Sequence, residues 1–330
     1  MRRDKLHRIL FAVVMFCASA AADQISEAQQ GVYSDKEKEI CHGKNSYSYA
    51  LGGERYFVPY EAINGEVIAE GDIVIGQAAD VLNGGANYTA PMVPDFVRGQ
   101  PTRWENNLVP FVVDDSVTDS DRVLIQQAMS QWAGATNIRF RELFGTRDWK
   151  RENYVKFSGS KKEVCTSNSI GIKERLPGKV DEEDNINAVQ VDGCRSWGKI
   201  AHEIGHVLGL GHEHTRSDRD NYITILWSNI QEGRETWYCR AIGDPRTSAK
   251  IGDQQTLANT AYDYDSIMHY PVDGFAKLSP DCQMVPYDGK LQCLAFLPNQ
   301  EKLRQQRQML APNPLTIGLM DHLSQGISPL

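Results

Sequence analysis

His202-Glu203-Ile204-Gly205-His206-Val207-Leu208-Gly209-Leu210-Gly211-His212-Glu213 is the stretch on which the reading of this chain turns. The pattern from about Ser196 to Leu208 is that of a helix. His202 and His206, four apart, then share one helix face, one turn from each other. Neutral imidazole suits zinc, and Glu203, beside the first histidine, reaches water next to the ion without being a ligand. Gly209 takes positive φ at little cost, so the helix can stop and the chain can turn sharply there. That turn can bring His212 back as a third donor. Three histidines leave positions open for water and substrate, which separates a catalytic zinc site from a closed structural one. Four of the eight histidines lie between residues 202 and 214, a density that packing does not require.

Upstream of this stretch, Leu108–Val113 reads as a buried strand. A helix capped within Thr118–Asp121 follows, with Val123, Leu124, Ala128, Met129 and Trp132 at helical spacing. Ile138–Phe140, Tyr154–Phe157 and Ala188–Val191 read as short strands. Beyond Asn221 the chain is largely loop, apart from a polar helix at Gln300–Met309. Residues 23–100 are turn-rich, with strand-like stretches near Tyr56–Val58 and Asp72–Ile75, and are too thin for a second core.

Downstream lies Ser266-Ile267-Met268-His269-Tyr270, the Met-turn that accompanies the extended histidine motif in metzincins. With Arg216-Ser217-Asp218-Arg219-Asp220-Asn221-Tyr222 and Tyr262-Asp263-Tyr264-Asp265, the set resembles the astacin family of zinc endopeptidases. The resemblance covers roughly 100–325 and includes Trp104, Val109-Pro110-Phe111, Asn137–Phe140 and Asp192-Gly193-Cys194. It implies an α+β fold: a two-lobed catalytic domain whose twisted, mostly parallel sheet and two long helices stand above an irregular lower lobe. It also implies one zinc per chain at His202, His206 and His212, with Glu203 as general base and Tyr270 as oxyanion stabiliser. Met268 would form the floor under the zinc, and Glu213 matches the acid buried near the processed N-terminus. Asp72, in Glu70-Gly71-Asp72-Ile73, looks like the prosegment aspartate that blocks the metal in the zymogen. Cys41 is the rival for that place, since thiolate is an excellent zinc ligand; otherwise it is a disulfide partner, with Cys239 the candidate. His214, His269 and His322 lack ligand spacing and read as loop hydrogen-bonding residues. At Asn137 many relatives have a cysteine, so that staple is absent here; Cys165–Cys194 matches the family's other bridge.

The chain opens with Arg2, Arg3, Lys5 and Arg8, then an apolar run from Ile9 to Ala18 and small residues to Ala22, which describes a secretory signal peptide. The run is too short to cross a bilayer, and no other approaches that length. The organisation expected is therefore 1–22 signal peptide, 23–98 prosegment, with processing near Pro94–Arg103, and 99–330 catalytic domain. After export the remaining six of seven cysteines can form three bridges, and close spacing favours Cys165–Cys194 and Cys282–Cys293. A net charge of −8 with no long Lys/Arg run excludes a nucleic-acid partner. Asn87-Tyr88-Thr89 is a glycosylation sequon. The reading is a secreted, monomeric zinc endopeptidase acting on proteins or peptides. A catalytically dead binding protein is disfavoured because every chemical position is filled. A zinc hydrolase for other acyl substrates is the remaining alternative.

Overall fold

The computed structural model describes residues 35–41, 46–51, 54–79, 104–144, 153–159, 163–172, 186–216, 218–240, 261–277, 284–287 and 290–309. Residues 1–22, read from the sequence as a signal peptide, the sequon at Asn87, the stretch Pro94–Arg103, Cys282 and His322 lie outside these. No helix among the described residues is long and apolar enough to cross a membrane.

Helix α1 (Asp35–Cys41) is followed by the hairpin β1 (Ser46–Leu51) and β2 (Glu54–Pro59). Next comes an antiparallel meander of β3 (Glu61–Ile63), β4 (Glu66–Ala69) and β5 (Ile73–Gln77). Its first turn is Asn64-Gly65, with φ of 53° and 86°. A two-residue turn with positive φ at both positions matches the twist of the strands it joins.

Strand β6 (Leu108–Val113) leads into α2 (Asp119–Ala135), then β7 (Arg139–Glu142), β8 (Val155–Ser158), β9 (Thr166–Ser167), β10 (Asn187–Gln190) and α3 (Trp197–Val207). Both helices start where the sequence supplies a cap. The Thr118 side chain accepts from the Asp121 N–H, and that of Ser196 from the Lys199 N–H. The remainder is short: β11 (Ile223–Ile225), β12 (Met284–Tyr287), β13 (Lys290–Cys293), β14 (Phe296–Pro298) and α4 (Gln300–Met309).

Among the described residues one sheet has the order β3-β4-β5-β9-β10-β8-β6-β7. Strands β10, β8, β6 and β7 run parallel, and β9 is antiparallel to β10. The meander joins at one point, where Ile73 pairs with Ser167 of β9. Residues 61–77 thus extend the main sheet rather than build a core of their own. A mixed sheet with few helices makes the fold α+β.

Buried apolar residues among those described form two main groups. The first joins sheet residues Val109, Phe111, Phe157 and Val189 to Ile125 and Trp132 of α2 and Ile200 and Ile204 of α3. Indole N–H groups stitch it: Trp132 donates to the Ala201 carbonyl (2.9 Å) and Trp104 to that of Val207 (3.0 Å). The second is built from irregular segments around Ile225, Ile230, Trp237, Tyr238, Phe275 and Phe296, and includes Cys41.

Disulfides join Cys165 to Cys194 and Cys41 to Cys239; Cys293 is also bridged. The Cys41 bond corrects the reading of this residue as a rival metal donor, because a bridged sulfur has no thiolate to offer. Phe157 is buried and meets Phe111 edge to face at 6.0 Å. Phe157→Ala is expected to lower unfolding free energy by about 3–5 kcal/mol, read as a shift in the urea midpoint; a change under about 1 kcal/mol contradicts its place in the core.

Candidate metal centre

Helix α3 carries His202 and His206 on one face and Glu203 beside them. It ends at Val207 with Leu208 as its cap, and Gly209 beyond it has a φ of +101°. The Gly209 N–H bonds the His206 carbonyl (2.8 Å) and the Leu210 N–H that of Gly205 (3.0 Å), closing the last turn with a left-handed cap. The chain then returns with His212. The Met-turn ties this loop down: the Glu213 N–H donates to the Met268 carbonyl (2.9 Å), and Met268 packs on Gly205, where a Cβ would overlap its sulfur.

Each ring is fixed through Nδ1. His202 Nδ1 lies 2.7 Å from the Ile267 carbonyl, His206 Nδ1 2.8 Å from the Leu210 carbonyl, and His212 Nδ1 2.7 Å from a Glu70 carboxylate oxygen. A carbonyl or carboxylate only accepts, so each Nδ1 carries a hydrogen, and in the neutral ring each Nε2 presents a lone pair. The three Nε2 atoms and a carboxylate oxygen of Asp72 lie within 4.8 Å of one another. Asp72 Oδ2 is 3.2 Å from His202 Nε2 and 3.2 Å from His212 Nε2, and Oδ1 is 3.5 Å from His206 Nε2. His202 Nε2 and His212 Nε2 face each other at 3.0 Å.

This arrangement demands a positive charge. His206 Nε2 and Asp72 Oδ1 are buried with no hydrogen-bond partner. Burial pulls the His206 pKa down to about 4. Burial also opposes charge on His212, but Asp72 and Glu70 outweigh it and push its pKa up to about 10. With protons alone, the cluster gains its cation by protonating His212; a divalent metal supplies that charge without a proton. Three imidazoles and a carboxylate at this spacing fit zinc.

Glu203 is buried, and its Oε2 lacks a partner. Burial first, and the Asp72 charge second, push its carboxyl well above the usual range. Its Oε1 lies 3.6 Å from Cys165 Sγ, a packing contact because a bridged sulfur has no hydrogen to donate. Tyr270 is buried, stacks on His214 at 3.9 Å, and donates its hydroxyl to the Glu70 carbonyl. His214 bonds the Trp237 carbonyl (3.2 Å), and His269 bonds Tyr262 (2.6 Å). Glu213 accepts from Arg216 (2.9 Å) and from the Asp263 N–H (2.8 Å). Glu70 stands inside the Glu70-Gly71-Asp72-Ile73 motif, but the motif marks no partner for it. The signal available was its place two residues before Asp72, on the far side of a tight turn.

A histidine triad of this spacing, with a buried acid next to its first member, defines the class of zinc metallopeptidases. A family model, Astacin (Peptidase family M12A), matches residues 96–294. Tolloid-like protein 1 of Mus musculus is 32% identical over 174 residues, which are 53% of this chain and 15% of that protein. Zinc metalloproteinase nas-5 of Caenorhabditis elegans is 30% identical over 208 residues, 60% of this chain and 51% of that protein. High choriolytic enzyme 1, a hatching enzyme zinc-protease from Oryzias latipes, is a solved structure with TM-score 0.45 and 23% identity, covering 68% of this chain and 94% of its own. The chain belongs to the astacin family of zinc metalloendopeptidases. It spans only about 15% of the length of the tolloid-like proteins it matches.

Elemental analysis after dialysis against a chelator is expected to find zinc in the wild type and in His269→Gln, which alters a buried histidine bonded outside the cluster. His206→Ala should retain none. Zinc persisting in His206→Ala would remove this residue from the donor set.

Proposed function

We propose that this chain is a secreted zymogen of a zinc endopeptidase, with 1–22 a signal peptide, 23–98 a prosegment and 99–330 the catalytic domain. The convergence of three lone-pair-bearing Nε2 atoms beside a buried carboxyl carries this reading. His202, His206 and His212 hold the zinc, joined by Asp72 only before processing. The two separate groups of buried residues support reading the catalytic part as an upper and a lower lobe. Protein or peptide chains are the substrates, and the enzyme acts as a monomer.

Zinc bound there supplies Lewis acidity, which activates water and polarises a carbonyl. Glu203 takes a proton from the attacking water and gives it to the departing amine. A carboxyl whose burial lifts its pKa well above the usual range suits a group that must hold that proton between two transfers. Tyr270 keeps its proton, since burial raises its pKa. Freed from the Glu70 carbonyl, its hydroxyl can donate to the oxyanion that forms as the carbonyl is attacked. Met268 packs beneath the helix and fixes the height of the histidines.

In the zymogen Asp72 fills the position a substrate carbonyl needs, while Glu70 occupies both His212 and Tyr270. Gly71 makes this possible. Its φ is +92°, and a Cβ there would come within 2.8 Å of the Trp237 ring and nearer still to the Tyr270 hydroxyl. Gly71→Ala is expected to dislodge the segment, so that the uncut chain digests casein where the wild type does not. Glu203→Ala in processed protein should keep its zinc and lose casein hydrolysis; turnover in that variant refutes the assigned base. A silent Gly71→Ala zymogen contradicts the blocking role of this turn.

A further inference from the structure

We propose that residues 35–41 are a permanent clasp of the enzyme, so that cutting the chain after residue 79 yields two chains joined through Cys41–Cys239. This rests on reading 23–98 as a prosegment.

The first observation is connectivity. The bridge joins residues 198 apart, one in the N-terminal segment and one in the catalytic part. Any single cut between them, including one near Pro94–Arg103, leaves the products covalently linked. Both sulfurs belong to residues under 5% exposed, which shields the bond from attack by thiolates in solution.

The second observation is charge. Glu37 of α1 is 4% exposed, and its carboxylate takes hydrogen bonds from Arg219 (2.9 Å) and Arg240 (3.2 Å). Arg219 is wholly buried. It also bonds Asp220 (2.6 Å), the His214 carbonyl (3.0 Å) and the Tyr238 carbonyl. Arg240 reaches the other Asp220 oxygen at 3.0 Å. Two guanidiniums therefore meet two carboxylates, and one of these comes from the segment that processing would discard. Without Glu37 both buried cations lose a carboxylate that faces them, and breaking a buried ion pair on one side is costly. Arg219 holds the backbone of His214 and Tyr238, whose rings pack on Tyr270 with centroids 3.9 and 5.7 Å away, so the clasp also supports the wall of the site.

The blocking meander is anchored differently. Apart from the Glu70 and Asp72 contacts at the histidine site, it pairs with the rest of the sheet at Ile73↔Ser167 among the described residues, and its outer ion pair, Glu61 with Arg234, is about 30% exposed on each side. The N-terminal segment thus combines a fixed part at 35–41 with a releasable part at 61–77. The fixed part tethers the releasable one, which can return to the zinc at an effective concentration of order mM. One cut leaves an enzyme inhibited by its own tethered segment, and full activity needs a second cut between Cys41 and Asp72 or loss of the bridge.

The test is limited proteolysis of the purified full chain to a new N-terminus near residue 99, followed by electrophoresis and mass mapping with and without reductant. The peptide holding Cys41 should stay on the catalytic chain until reductant is added. In Cys41→Ser/Cys239→Ser the same cut leaves the segment bound only noncovalently. Its casein activity per molecule should rise about tenfold or more on dilution, while that of the wild type stays flat. Release of the Cys41 peptide from cut wild type without reductant overturns the clasp, as does a map pairing Cys41 elsewhere. These maps decide the matter even if the double variant does not fold. An intact bridge in protein that hydrolyses no casein in either form refutes the peptidase reading and leaves the clasp standing.

Discussion

Three imidazole nitrogens with bare lone pairs, held within 4.8 Å of one another and of a carboxylate oxygen, repel unless a cation joins them. Each ring is kept in that orientation by an acceptor on a different segment: the Met-turn at Ile267, the chain reversal at Leu210, and Glu70 from the N-terminal segment. A folded chain gains nothing from locking three tautomers toward one point unless the charge it binds there repays the desolvation. The left-handed cap at Gly209, the close packing of Gly205 on Met268 and the Glu213–Met268 backbone bond all serve to hold the third ring against the first two.

The N-terminal segment enters this centre as a chemical component rather than a cover. One residue, Glu70, grips His212 through its side chain and Tyr270 through its carbonyl, while Asp72 faces all three histidines. In the proposed reading, its departure does more than uncover the metal. It frees the Tyr270 hydroxyl and removes the acceptor that orients His212. Glu203 is affected too, because the Asp72 charge is one of the two influences that raise its pKa.

Local chemistry made much of this legible. The two long helices were readable because four-residue spacing and the Thr118 and Ser196 caps act within one or two turns. The strands of the parallel sheet were readable because their residues are apolar on both faces or alternate. Strand β9 has two residues and no period to detect. The β3–β4 hairpin carried a usable signal in Asn64-Gly65, but its flanking stretches are only three and four residues long. Pairings across long separations left no trace. Glu37 and Arg219 are 182 positions apart, and Glu70 and His212 are 142 apart. Nothing in the spacing of either pair marks it. The Cys41–Cys239 bond was one of several possible pairings, because cysteine count constrains number and not partners.

X-ray absorption at the zinc edge of the uncut protein reads the central interaction directly. Three imidazoles and one carboxylate should surround the ion, and Asp72→Ala should keep the imidazoles and lose the carboxylate. A spectrum with fewer than three imidazoles, or one that Asp72→Ala leaves unchanged, would contradict the convergence on which the structure is built.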